Sequence, residues 1–441
     1  MTSSNTQTFF IALGTATAAT LITNAIISLR SSKSSTSHTS PTTPTTPTTP
    51  TTHHPTSIPQ TASTGNIFRP HQHEEKMAHR VAKVNKVNKS SKRISLISDS
   101  KPRDSVTVRV PATSANLGSG YDCLGMAVDL WTTVTVERAE AFSIHATGEG
   151  AAEMPKDETN LLCVGVMHAF QRADKPIPKL RYTVDSKIPY ARGLGSSSAA
   201  IVAGIIAGLV LAGQELTVWG SEILLQIAAE IEGHPDNVAP VIYGGCQIGI
   251  HTGKRWLSER ISMPQGLQLI IFVPDFIGKT STARGVLDDM VSRSDCSFNI
   301  GRVAFLINAL NQGNVENLKF GVQDGIHQPQ RGSKLYPYLF PMMEAAEAAG
   351  ASGCYLSGAG PTVLAFTSGS SGDIFVQSQS ERTDLAVAQS MRDAAKKAGV
   401  EGKCYVAQVS QVGAHVVSVS PKFSTEEVVY MGGDTANGGV L

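Results

Sequence analysis

Ile188 to Ala200 reads IPYARGLGSSSAA and runs straight into the apolar stretch IVAGIIAGLVLA. Gly193 and Gly195 tolerate positive φ and place no Cβ against an incoming ligand. Ser196, Ser197 and Ser198 offer hydroxyls and favour a helix start. The first-turn N–H groups and the helix dipole then make a site for an anion, phosphate above all. The segment has neither the Gly-Lys-Ser/Thr ending of the common nucleotide loop nor the G-x-G-x-x-G of dinucleotide binding. By itself it also reads as a tight turn that only starts a helix.

Other residues carry chemistry around it. Asn116 and Asp122 flank the Gly118 and Gly120 turn of PATSANLGSGYDCLG. A short loop with two glycines can aim an amide and a carboxylate at one small polar ligand, and a carboxylate suits an ammonium. Glu232 ends a helical pattern just before Gly233 and His234. A hard cation wants oxygen ligands such as that carboxylate, although the residue alone reads as a solvated helix end. His234, Asp236 and Asn237 form an H-x-D-N run in which Asp236 is the obvious candidate base. Arg284 lies in KTSTARGVL and Arg331 in IHQPQRGSK. An arginine fork fits a carboxylate, while either residue alone reads as a surface charge. Cys123 reads as a small buried residue, not a nucleophile.

Three segments share a fixed order: VRVPATSANLGSGYDCLGMAVDLW from Val108, the serine-rich loop, and GCYLSGAGPTVLAF from Gly353. Together they resemble the GHMP kinase superfamily of small-molecule kinases. Within it, PATSANLGSGYDCLG and EIEGHPDNVAPVIYGG (Glu230 to Gly245) are similar to the homoserine kinase family. The resemblance covers roughly Ser105 to Val419. Ser119 stands where the family usually has Pro, and Tyr121 where it has Phe. One serine more than the GLGSSAA form leaves the phasing beyond Ser197 open.

The resemblance implies an α+β fold: a ribosomal-protein-S5-like kinase domain, a ferredoxin-like domain, and an active site between them. It implies ATP and Mg²⁺ as cofactors and L-homoserine as substrate, in a step of threonine biosynthesis. The ATP cradle would be Pro189, Arg192, Gly193, Leu194, Gly195, Ser196, Ser197, Ser198 and Ala199, with Asn160 near the adenine. Ser196, with Ser197 next in line, and Glu232 would hold the metal. Asn116, Asp122, Thr280, Arg284 and Arg331 would hold the substrate. Asn237 stands where many superfamily members carry a catalytic Asp. No clear base then remains, and His234 becomes an orienting donor. LSGAGPT, with Gly358 and Gly360, would pack on the phosphate loop. A mevalonate, sugar or shikimate kinase is the competing enzyme reading. A catalytically idle, membrane-tethered sensor is the competing reading from another class.

These residues need a folded body, and the composition supplies one. The 441 residues carry a net charge of +1 and are 41% hydrophobic, enough for a large core. Near-neutral charge excludes an extended nucleic-acid surface. Six cysteines without a C-x-x-C pair indicate neither a zinc site nor a disulfide framework. Residues 105–264 and 265–422 are expected as two kinase domains, 1–104 as an address segment and linker, and 423–441 as a tail. Phe9 to Leu29 is apolar and long enough to span a bilayer, which takes about 20 residues. The Ser/Thr/Pro-rich stretch after it reads as disordered, and residues 76–101 are basic. That order suggests plastid import in two steps or a membrane tether and contact, with a cytoplasmic enzyme as the alternative. A homodimer is a further expectation.

Within the folded part, alternation predicts strands at 106–110, 131–138 and 244–250, with a buried strand at 267–275. Helical periodicity predicts 160–173, a buried helix from the serine loop to 212, and 216–232. Further helices are expected at 282–291, 302–311, 315–324, 339–350 and 383–398. A single strand, YVAQVSQVGAHVVSV, is expected to end the second domain.

Overall fold

A computed structural model of the chain describes residues 102–214, 220–367 and 383–422. β1 (Ser105–Ala115) and β2 (Leu124–Arg138) make a long antiparallel pair. Val106, Val108 and Val110 alternate inward, as a period of two requires. The register shifts between Pro111 and Ala112, where proline has no N–H for the ladder. β3 (Ser143–Gly148), β4 (Leu180–Ser186), β5 (Cys246–His251), β6 (Trp256–Ile261) and β11 (His415–Ser420) complete the first sheet. Its order is β11-β1-β2-β4-β3, and β5 joins β2 to β6.

Two helices cover this sheet, α1 (Leu161–Arg172) and α2 (Ser196–Leu211). α2 is apolar all round and buried along nearly its whole length, as its composition predicts. Their approach depends on missing side chains. A Cβ on Gly204 would fall 2.2 Å from the Leu162 carbonyl oxygen, and one on Gly165 would fall 2.4 Å from that of Ile201. α3 (Gly220–Glu232) and α4 (Val238–Tyr243) follow.

The second sheet has the order β10 (Gly402–Gln408), β7 (Gln268–Pro274), β9 (Val363–Thr367), β8 (Gly353–Leu356). β7 is buried on both faces. Leu269, Ile271 and Val273 join the core under the first sheet. Ile270 and Phe272 pack with Met342 and Met391 from two helices, Leu339–Ala348 and Thr383–Lys397. Helices and strands are mixed in both layers, as the α+β expectation has it.

Several local expectations differ. The helix expected at 282–291 stops early, as α5 (Thr280–Gly285). Side chains take up the chain beyond it: Gln330 accepts from the Asp288 N–H and Lys334 donates to the Val286 carbonyl. The helix expected at 302–311 runs much longer, as α6 (Arg293–Gln312). Ser292 starts it by accepting from the Asp295 N–H, and Gly313 ends it in the left-handed region. The helix expected at 315–324 is a 3₁₀ turn, Val315–Asn317, and one turn of helix, α7 (Leu318–Gly321). The final strand is two strands in different sheets, β10 beside β7 and β11 beside β1.

The plastid or membrane address read from the sequence is corrected. No helix among the described residues is long and apolar enough to cross a membrane. Phe9 to Leu29, on which that reading rested, lies outside the described residues, as do the Ser/Thr/Pro-rich and basic stretches.

Candidate active site

The glycine loop sits between β4 and α2. Ala191, Gly193 and Gly195 all have positive φ, and Gly195 is the residue before the helix. The serines do not cap this helix, contrary to the sequence reading, because no side chain bonds its first turn. Ser196 Oγ accepts from the Ala191 N–H at 3.0 Å instead. Ser198 Oγ donates to Glu232 Oε1 at 2.7 Å. The first-turn N–H groups and the dipole therefore stay directed at the space before the helix, which suits an anion.

The third glycine segment holds this loop from behind. Ser357 Oγ donates to the Gly193 carbonyl at 2.7 Å, and the Gly358 N–H donates to the Ala115 carbonyl at 3.0 Å. A Cβ on Gly193 would meet the Ser357 carbonyl oxygen at 2.6 Å, and one on Gly195 would meet Thr113 Oγ1 at 1.9 Å. Neither position admits another residue.

A cavity of about 450 Å³ opens at the loop. Gly193, Gly195, Ser196, Ser197, Ala199, Glu232, His234 and Asn237 line it, with Asn116, Asp122, Thr280, Arg284 and Arg331. Asn160 lines it too, but both ends of its amide are used. Its Oδ1 accepts from the Leu162 N–H, capping α1, and its Nδ2 donates to the Pro155 carbonyl. Pro189, Arg192, Leu194 and Ser198 do not reach the cavity wall. Arg192 spends its guanidinium on the Pro274, Tyr190 and Asp275 carbonyls, tying the loop to the end of β7.

Glu232 stands at the end of α3, beside the loop. Its carboxylate lines the same cavity as the Ser196 and Ser197 hydroxyls, so the donors on offer there are oxygens. That set fits Mg²⁺. The hydroxyl bonded to Glu232 is that of Ser198, one turn position beyond the residues the sequence favoured.

Charged side chains also line the cavity. Asn116 joins the first and third segments: its Nδ2 donates to the Gly358 carbonyl and its Oδ1 accepts from the Asp122 N–H. Arg284 donates to Asp122 Oδ2 at 2.9 Å and Oδ1 at 2.6 Å. Burial alone would raise the Asp122 pKa, but the Arg284 fork outweighs it and holds the carboxyl below its ordinary value. Arg331 is 1% exposed. It donates to the Ala283 and Gly358 carbonyls and to His327 Nδ1, and pairs with no carboxylate among the described residues. A buried cation with only neutral partners is an incomplete site for an anion.

His234 Nδ1 bonds Asp236 Oδ1. Burial would lower the imidazole pKa, but the Asp236 carboxylate raises it to about 9. Asn237 Nδ2 also donates to that carboxylate at 3.2 Å, and Thr113 Oγ1 donates to Asn237 Oδ1 at 2.7 Å. The candidate base Asp236 is thus committed to two donors. Asp122, His234 and Asp236 bring ligand-capable atoms within 4.8 Å of one another. Each carboxylate already has its cation, so the cluster is an ion-pair network.

Sequence reasoning missed some of these residues. Lys279 and Ser281 line the cavity beside Thr280 without having been singled out. Thr113 and His327 act by holding Asn237 and Arg331. Thr113 falls within the first motif, whereas His327 had no signal beyond its place in IHQPQRGSK.

A glycine loop at a buried helix, clamped by a third glycine segment and faced by charged residues from a second layer, defines a GHMP kinase. Family models described as the GHMP kinases N terminal domain and the GHMP kinases C terminal match residues 161–245 and 306–398. A homoserine kinase of Desulfitobacterium hafniense is 42% identical over 313 residues, 71% of this chain and 100% of that protein. One from Synechocystis is 42% identical over 265 residues, 59% of this chain and 85% of that protein. The solved homoserine kinase of Cytophaga hutchinsonii superposes with a TM-score of 0.61 at 29% identity, covering 72% of this chain and 98% of that one. The chain belongs to the homoserine kinase family.

Proposed function

We propose that this enzyme transfers the γ-phosphoryl group of ATP to the side-chain hydroxyl of L-homoserine, giving O-phospho-L-homoserine for threonine biosynthesis. The observation that carries this is Arg331, a buried cation with only neutral hydrogen-bond partners among the described residues, in the lining of a cavity that also takes in the start of α2. A cation for a carboxylate, an acidic residue for an ammonium and a helix start for a phosphate line one cavity, which supports this reading.

Asp122 takes the substrate ammonium, and Arg284 and Arg331 take its carboxylate. The α2 N-terminus and the Gly193–Gly195 loop take the triphosphate. Glu232, with the Ser196 or Ser197 hydroxyl, would hold Mg²⁺, which supplies charge neutralisation on the phosphates when bound. The acceptor oxygen forms its bond to the γ-phosphorus as the bond to ADP breaks, and its proton leaves on the transferred phosphoryl group. Asn237 and His234 orient the acceptor. Asp236 is held by two donors and is not needed as a base, so catalysis rests on positioning and charge stabilisation. Residues 105–264 and 265–422 act together as the catalytic body, with 1–104 and 423–441 outside the chemistry.

ATP consumption by the full chain against homoserine, mevalonate, galactose and shikimate tests this. Homoserine should be turned over far faster than the other three. Faster turnover of mevalonate or a sugar would sink the assignment.

A further inference from the structure

Tyr121 stands behind both arginines. Its ring centroid is 5.6 Å from Arg284 Cζ and 5.5 Å from Arg331 Cζ, and the His327 ring lies 5.2 Å away. Its hydroxyl accepts from Arg284 Nη1 at 2.8 Å. Nη1 therefore divides its two hydrogens between Tyr121 and Asp122 Oδ2, while Nη2 goes to Asp122 Oδ1. Partners at two different points of one rigid plane stop that plane from turning. Burial raises the phenol pKa, so the oxygen remains a neutral acceptor. Two like charges facing one cavity repel, and an aromatic ring close to both attracts each.

We propose that Tyr121 is a positioning residue for the substrate carboxylate: its hydroxyl holds the Arg284 fork in plane, and its ring keeps Arg284 and Arg331 aimed at one anion. The role matters most when substrate arrives. The substrate ammonium draws Asp122 away from Arg284, and Tyr121 is then the hydroxyl partner that still fixes the fork. The inference rests on the amino-acid reading of the site proposed above.

Tyr121→Phe in the full chain removes the hydroxyl and keeps the ring. The probes are homoserine and 3-amino-1-propanol, which has the same hydroxyl and ammonium but no carboxylate. The variant should raise the homoserine KM about three- to tenfold, less than the full worth of one hydrogen bond to a charged group because Tyr121 acts through Arg284. The kcat and the KM for ATP should stay within about twofold, a change too small to mark a lost hydrogen bond. The Ki of 3-amino-1-propanol against homoserine should not change. Tyr121→Leu, which loses the ring as well, should raise the homoserine KM further. An unchanged homoserine KM in Tyr121→Phe overturns the proposal, and so does an equal weakening of both compounds, which would mark a general structural role. Wild-type protein inactive on homoserine would overturn the substrate reading itself, and this inference with it. Active wild-type protein with an unaffected variant overturns only the role of Tyr121.

Discussion

Arg284 closes both terminal nitrogens on the Asp122 carboxylate, at 2.9 and 2.6 Å. The two groups assigned to opposite ends of an amino acid thus neutralise each other. Their side chains are 21% and 33% exposed, so solvent screens the pair and it is worth only about 1 kcal/mol. A zwitterion offers two charge-assisted replacements, each worth about 1.5–3 kcal/mol, and can open it. A ligand with one charge would leave a partner stranded.

Arg284→Lys keeps the charge and loses the fork. The homoserine KM should rise about tenfold or more while the KM for ATP stays near its wild-type value. Steady-state kinetics with each substrate varied in turn checks this. The opposite pattern would place Arg284 at the nucleotide.

Glu232→Gln keeps the shape of the carboxylate beside Ser198 and removes its charge. The kcat should fall by roughly 10²-fold or more, since metal charge stabilisation is worth several kcal/mol. Near-wild-type kcat at saturating Mg²⁺ would rule the metal role out.

His327 carries a pH prediction. Its Nε2 donates to the Gly118 carbonyl, and its Nδ1 accepts from Arg331, so the neutral imidazole is the form that fits. Burial pushes its pKa down from 6.5 to about 4. The unfolded chain then binds the proton more readily between those values. The resulting stability is present above about pH 6.5 and is lost as pH falls toward 4, on the order of 3 kcal/mol in full. Urea unfolding from pH 7.5 to 4.5 should show a shallower decline for His327→Gln than for wild type. Parallel declines would refute the assignment.

Gly204→Ala should destabilise the fold by about 1–3 kcal/mol, because α1 and α2 must separate to admit a methyl group. Its Cβ would lie 2.2 Å from the Leu162 carbonyl oxygen. Thermal unfolding is the measurement, and an unchanged Tm would mean that the helices yield freely.

Much of the site was legible because its chemistry is local. The turn around Gly118 and Gly120, the loop ending in Ser196 and the H-x-D-N run each place a few polar atoms within one stretch of chain. The cavity gathers Asn116, Asp122 and His234 with Glu232 and Arg284, two residues that by type alone read as a solvated helix end and a surface charge. What escaped depends on neighbours far away in sequence. Arg192 looked like a phosphate ligand, but the Pro274 and Asp275 carbonyls claim it. Ser198 was expected in the ATP cradle, but its hydroxyl goes to Glu232 at the end of α3. The helix expected at 282–291 ends at Gly285 because Gln330 and Lys334 bind the chain that follows. The division of the last strand leaves no mark in local alternation, since β10 and β11 both alternate and differ only in their partner.

The pairing of β11 with β1 sets Ser105 opposite Ser420 and Val106 opposite Val419. One edge of β1 therefore stays open on the ribosome until almost the whole described chain has been made. β2 pairs with β1 early, but the other edge offers unpaired N–H and C=O groups to any passing strand meanwhile. Closing a contact across that separation is slow, and it comes last in order of synthesis. Nascent chains stalled before His415 should accordingly need chaperone protection, however complete their phosphate loop.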